Sequence, residues 1–268
     1  MEANSAPGRT PGCAAWGSLP QNGATGIMVL NRLQSKHRKS MLGEEGDKRM
    51  YRRDYLVRLV EDMTKLIAHV FRLKQERKHT EALQKVEDLL RRQFRLNSKL
   101  LGSLSASDIE KLFHNQGFLD ADSLQSAARM LEEEADILMD MGREEEAVLH
   151  LTKVLELYLT AILHGADRKL LGLPQRIADV RDKLRAYAMP VSVERLYFTY
   201  TEQEGDFAEA ENTLYRLLDQ NGMAPDEARQ FYQRLLQLEP EELERGGLPL
   251  DEVYEGMAEL DRQYADSI

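Results

Sequence analysis

The 268-residue chain has one cysteine, one tryptophan, eight prolines and 7% aromatic residues. Each scarcity narrows the field. A lone Cys13 cannot close an internal disulfide, and structural metal centres draw on several clustered ligands. A reducing compartment, the cytoplasm, is therefore expected. Too little Pro and Gly is present for a collagenous or wholly disordered chain. No run approaches the roughly 18 apolar residues that span a bilayer. Near the N-terminus the longest apolar stretch is Ile27-Met28-Val29-Leu30, too short for the core of a secretion signal. No membrane association is expected. With few aromatics, the core must be filled by Leu, Ala, Met and Val.

Catalytic signatures are missing too. His37, His69, His79, His114, His150 and His164 form no HExxH or other paired metal spacing. The segment Gly102-Ser103-Leu104-Ser105 lacks the second glycine of a nucleophile elbow. No phosphate-binding or dinucleotide glycine pattern occurs. Glu146 and His150 lie one helical turn apart and read as a surface contact. The triplets Glu132-Glu133-Glu134 and Glu144-Glu145-Glu146, and the pair Glu241-Glu242, read as solvated faces, because consecutive helical residues diverge. The expectation is no enzyme, no cofactor and no metal.

What is abundant is charge, 31% of residues, and it is sorted along the chain. Residues 50–101 hold 13 Lys/Arg against 7 Asp/Glu; residues 102–268 hold 16 against 35. A basic segment joined to an acidic body invites attraction within one molecule or between two, so a homo-oligomer is one expected form. The basic helices over 72–95 support an alternative role, a nucleic-acid-associated regulator, against which the net charge of −10 argues.

Residues 1–49 have no amphipathic period and are expected to form a disordered leader. Glu44-Glu45-Gly46 can be encoded with an AGGAGG ribosome-binding sequence three codons before Met50. A native start at Met50 is the expectation, with one helical domain over 50–268.

From Met50 the apolar spacing is helical. Tyr55, Leu59, Met63, Leu66, Val70 and Leu73 make one stripe of a long first helix. Further helices are predicted at about 80–96, 121–140, 144–163, 174–188, 191–204, 207–220, 225–238 and 250–265, with a short one ending near Phe113. Pro174, Pro190 and Pro225 fall at starts, and Gly142, Gly165, Gly205 and Gly222 at ends. No sustained two-residue alternation appears, so the fold class is all-α.

One signature recurs, in 77–92, 142–158 and 205–220. Ala82, Ala147 and Ala210, each preceded by Glu, are followed by apolar residues four, seven and eight positions on. Such a small-then-large pattern marks a tight helical hairpin. Val70, Ala135 and Phe198 hold the facing position of the first helices, and the bulk of Phe198 predicts looser packing in the third copy. The pattern, clearest over 128–159, resembles the tetratricopeptide repeat. That resemblance implies antiparallel hairpins packed into an irregular α-solenoid or bundle, and a non-enzymatic scaffold or adaptor that binds a protein or peptide. If the first helices line an inner wall, Lys74, Arg129, Asp136, Arg195 and Glu202 are the candidate partner-binding residues. The anchor alanines are 65 and 63 residues apart, so other helices must intervene. The segments YRRDYLVRLVEDMTKLI (51–67), FRLKQERKHTEAL (71–83) and LLRRQFRLNSKLL (89–101) also resemble an uncharacterised bacterial family, mainly of Gram-positive spore-formers, classed as a domain of unknown function. This second resemblance implies no activity.

Overall fold

The N-terminal apolar stripe becomes helix α1, residues 54–75, in a computed structural model that describes residues 54–264 except 116. The leader expected over 1–49 and the start at Met50 lie outside the described residues. Leu59, Met63, Val70 and Leu73 are buried, while Tyr55, at the start of the stripe, is exposed. Helix α2 (His79–Phe94) follows a turn in which Arg77 adopts φ 57°. Two short helices come next, α3 (Ser98–Ser103) and α4 (Ala106–Leu112). Each starts at a polar cap: Asn97 Oδ1 accepts from the Leu100 N–H at 2.8 Å, and Ser105 Oγ from the Asp108 N–H at 3.1 Å.

A two-stranded hairpin, β1 (His114–Asn115) and β2 (Phe118–Leu119), interrupts the helices. The sequence gives no sign of it, because two residues per strand are too few for alternation to register. Gly117, at φ 86°, sits in its turn.

The centre of the fold is the pair α5 (Ala121–Asp140) and α6 (Glu144–Leu163), which share the most extensive helix contact. Gly142, at φ 73°, reverses the chain between them, as the hairpin signature demands. Helix α7 (Leu173–Lys183) is shorter than the spacing predicts. The second pair is α8 (Val191–Glu204) and α9 (Phe207–Asp219), reversed at Gly205, φ 75°. Helices α10 (Pro225–Leu235), α11 (Pro240–Arg245) and α12 (Leu250–Gln263) complete the chain. The six-residue α3 and α11 escape periodicity because neither completes two turns.

Ala82, Ala147 and Ala210 are all fully buried, which is the close approach their pattern requires. The buried apolar residues divide into two clusters, one running from Leu59 to Val193 and the other from Phe198 to Leu260. Helix α8 feeds both. Phe198 is 7% exposed and meets Phe231 of α10 edge-on, with centroids 5.4 Å apart. Its bulk is thus housed by α10.

Gly222 serves differently from the expectation. The left-handed residue at the end of α9 is Asn221, φ 52°. Gly222 is required for space: a Cβ there would lie 2.7 Å from Val191 Cγ1.

Candidate functional site

The α5 helix is buried around nearly its whole circumference, and this overturns the reading of its acidic triplet. Glu132, Glu133 and Glu134 are 1%, 7% and 9% exposed. They are not a solvated face, because α5 packs against α2 and α6 and is reached by Arg176 and Lys183 of α7. As helical geometry requires, the three diverge, and each meets a different neighbour. Glu132 accepts from the Tyr158 hydroxyl of α6 at 2.7 Å and from Arg176 of α7 at 3.2 Å. Glu133 is paired with Arg129 on its own helix. Glu134 faces Ser98, and burial raises its pKa above the usual carboxylate range. Burial, then the charge of Glu132, pushes the Tyr158 phenol well above its ordinary value.

Arg129 is therefore a correction as well. It is 3% exposed and belongs to this ionic knot, with Glu132 3.6 Å away, so no partner reaches it. The other four expected groove residues pin helices together. Lys74 pairs with Asp140 at 2.9 Å, tying α1 to α5. Asp136 pairs with Lys183 of α7 at 2.6 Å. Arg195 makes a two-pronged contact with Glu227 of α10 (2.9 and 3.0 Å) and donates to the Gly222 carbonyl. Glu202 accepts both prongs of Arg234, also from α10, at 2.7 and 3.0 Å. The five do not meet in one place. Helices α7 and α10 thus supply the ion-pair partners of Asp136 on α5 and of Arg195 and Glu202 on α8.

An open depression lies elsewhere, among α7, α8 and α9. Its floor is Glu194, in the first turn of α8 and 2% exposed. A carboxylate so placed needs cations, and two helices supply them. Arg181 of α7 and Arg216 of α9 each reach it at 3.3 Å, one on each oxygen. Arg216 is braced by Glu209 (3.0 Å) and by the Thr213 hydroxyl (2.7 Å). The Arg181 guanidinium sits 4.8 Å from the Tyr197 ring centroid, a cation–π distance. Arg185, mostly exposed, and Tyr187 complete the rim of a groove of about 680 Å³.

A second depression of about 820 Å³ adjoins the α5–α6 turn, lined by residues 142–146, Val148, Leu149 and Tyr187. Tyr187 lines both. Its hydroxyl donates to Glu144 of α6, which fixes the ring between the two hollows. Leu149 is 69% exposed beside it. An apolar anchor, an aromatic ring and a rim of arginines thus adjoin one another. Of these, tyrosine and arginine are enriched in protein interfaces.

Over residues 50–265 the chain matches a family of unknown function, DUF6483. The chain belongs to that family. Comparison with functionally curated proteins gives no match, and neither does comparison with solved structures. For this DUF6483 protein the site rests on its own geometry. Among its described residues no group of three or more His, Cys, Asp and Glu is placed to hold a metal ion. Nor is any described helix long and apolar enough to cross a membrane. Glu146 pairs with Arg143 at 2.8 Å rather than with His150. His150 is turned inward instead, its Nε2 3.5 Å from where a Cβ on Gly102 would lie. In the basic region, Arg91 pairs with Glu87 (2.7 Å) and Arg92 approaches Asp62 (3.8 Å). Sequence reasoning misses Arg181, Tyr187, Glu194 and Arg216. The only available signal is polarity on the helix faces either side of Pro190, where Tyr187 and Glu194 flank the break.

Proposed function

We propose that this protein is a non-enzymatic interaction module of tetratricopeptide type, a scaffold or adaptor acting in the cytoplasm. It docks a protein segment on the surface that runs from Leu149 past Tyr187 to Arg181 and Arg216. One observation carries the reading: Tyr187 is the common wall of an arginine-rimmed groove and of a hollow that sets Val148 and Leu149 beside Arg143 and three glutamates. An extended segment lying across both would bury an apolar side chain against Val148 and Leu149. It would present carboxylate or carbonyl oxygens to guanidinium donors one or two residues further on. Rigid support favours such a role. The Glu194 bridge holds the arginines in place before any partner arrives, which lowers the ordering cost of binding.

The hairpins around Ala147 and Ala210 support the tetratricopeptide comparison. The intervening α7 and α10 make the arrangement a modified one, with docking moved from the inner wall to the α7–α9 edge.

The test is site-specific photocrosslinking in the producing cells, with the crosslinker at position 149 or 187 and a control at exposed Lys99. Discrete adducts at 149 and 187, absent at 99 and weakened at least tenfold by R185E, are expected. Adducts indistinguishable from those at the control position would remove this surface from consideration.

A further inference from the structure

Charge is sorted along the chain of helices. Residues 55–95, which supply α1 and α2, carry 10 Lys/Arg against 6 Asp/Glu; residues 239–263, which supply α11 and α12, carry 2 against 9. The two segments feed different cores: Leu59 through Leu90 belong to the first cluster, Val253 and Leu260 to the second. The principal helix contacts run α2 to α5, α5 to α6, α6 to α8 and α8 to α9, with α12 held by α10 and α11. The basic and acidic helices therefore serve different parts of one chain.

Each presents a matched surface. On α1, Arg58, Lys65 and Arg72 recur every seven residues, two helical turns, and form one exposed line. Arg58 and Lys65 have no carboxylate partner among the described residues. Beside that line Val57 and Phe71 are 49% and 63% exposed. On α12 the counterpart is Tyr254, 53% exposed. Asp251 and Glu255 lie beside it and Glu252 on the adjoining face towards Glu211; all three are exposed and without a cationic partner among the described residues.

We propose that α12 of one copy lies along α1 of a second copy, head to tail. Tyr254 packs on one part of the Val57–Phe71 strip, and Asp251, Glu252 and Glu255, gathered within about one helical turn, sit in the field of the longer Arg58, Lys65 and Arg72 line. The contact has an apolar centre and a charged rim of opposite signs, so each half supplies what the other lacks. Each copy carries −10 overall, and that repulsion acts at long range. Salt near the physiological level screens it beyond about 8 Å and leaves the close pairs largely intact. Two different surfaces meet, so the contact is heterologous and leads to closed rings or open filaments. It uses neither Leu149 nor Tyr187, and its test is independent of the docking groove.

Sedimentation velocity of the full chain over a concentration series decides the matter. The average mass should rise with concentration near physiological salt. It should fall to that of one chain at about 1 M, where the screening length shrinks to ~3 Å. The triple variants R58E/K65E/R72E and D251K/E252K/E255K should each lose the rise. Mixed with each other they should regain it, because the reversed faces are again complementary. All six positions are exposed, and circular dichroism verifies that both variants keep their helices. A wild-type chain of unchanging mass overturns the proposal, as does association that survives both reversals, or a mixture of folded variants that fails to recover mass.

Discussion

Tyr158 on α6 donates its hydroxyl hydrogen to Glu132 on α5 across 2.7 Å, and neither side chain has appreciable contact with solvent. The bond joins the two central helices of the fold. It also belongs to a buried network, since Glu132 is bridged by Arg176 of α7. Tyr158→Phe removes only the hydroxyl and leaves Glu132 its arginine. Denaturant unfolding should show a loss of about 1–2 kcal/mol. Glu132→Ala should cost about 3–5 kcal/mol, because it strands Arg129 beside a single remaining carboxylate. Equal losses for the two would contradict the network.

Glu134 and His150 give the stability a pH dependence of opposite signs. Burial raises the Glu134 pKa above 4.5 in the folded state, so the folded chain holds that proton more tightly than the unfolded one. Its contribution then falls as pH rises from 4.5 through the raised value, and neutral pH carries a penalty. Glu134→Gln should stabilise the protein at pH 7 and have little effect below pH 4.5. Burial lowers the His150 pKa below 6.5, so there the unfolded state binds the proton more readily. That contribution is complete above pH 6.5 and shrinks as pH falls through the lowered value. Urea midpoints from pH 4 to 8 for the wild type, E134Q and H150Q check the two signs separately.

Arg181 and Arg216 share Glu194, yet Arg185 nearby is mostly exposed and only 3.9 Å from Asp182. Arg181→Ala should destabilise by about 1–3 kcal/mol, since a buried carboxylate loses one of two donors. Arg185→Ala should leave stability within about 0.5 kcal/mol, the range of ordinary surface changes. Thermal unfolding of the two variants side by side separates the brace of the groove from its rim.

Gly246 allows α9 to begin where it does. A Cβ there would stand 2.2 Å from Phe207 Cδ2 and 2.5 Å from the Gly205 carbonyl oxygen. The Gly246 carbonyl also accepts from the Ala208 N–H at 3.0 Å. Gly246→Ala should cost about 1–3 kcal/mol from overpacking, read as a lower unfolding midpoint. Gly165→Ala is a useful contrast: nothing lies near its Cβ, and only its φ of 80° opposes the change.

Three-residue and four-residue spacing, together with Pro and Gly at the breaks, determines the helices. The bounds predicted for α5, α6 and α8 match those observed. These features are local, since a stripe of apolar residues needs only a helix to bring it onto one face. The alanine signature likewise announces that Ala147 and Ala210 will be buried. Tertiary structure alone decided what surrounds each helix. Glu132, Glu133 and Glu134 look like surface residues in the chain, and become interior ones because α5 packs against α2 and α6 and is reached by α7. Lys74, Asp136, Arg195 and Glu202 are in groove register, but α5, α7 and α10 supply their ion-pair partners. Tyr187 and Glu194 acquire their setting from helices up to 43 residues away along the chain, Glu144 being the most distant of their hydrogen-bond partners. Spacing within one helix carries no record of which neighbour will lie against it, and that neighbour fixes whether a charge is solvated, paired or exposed for docking.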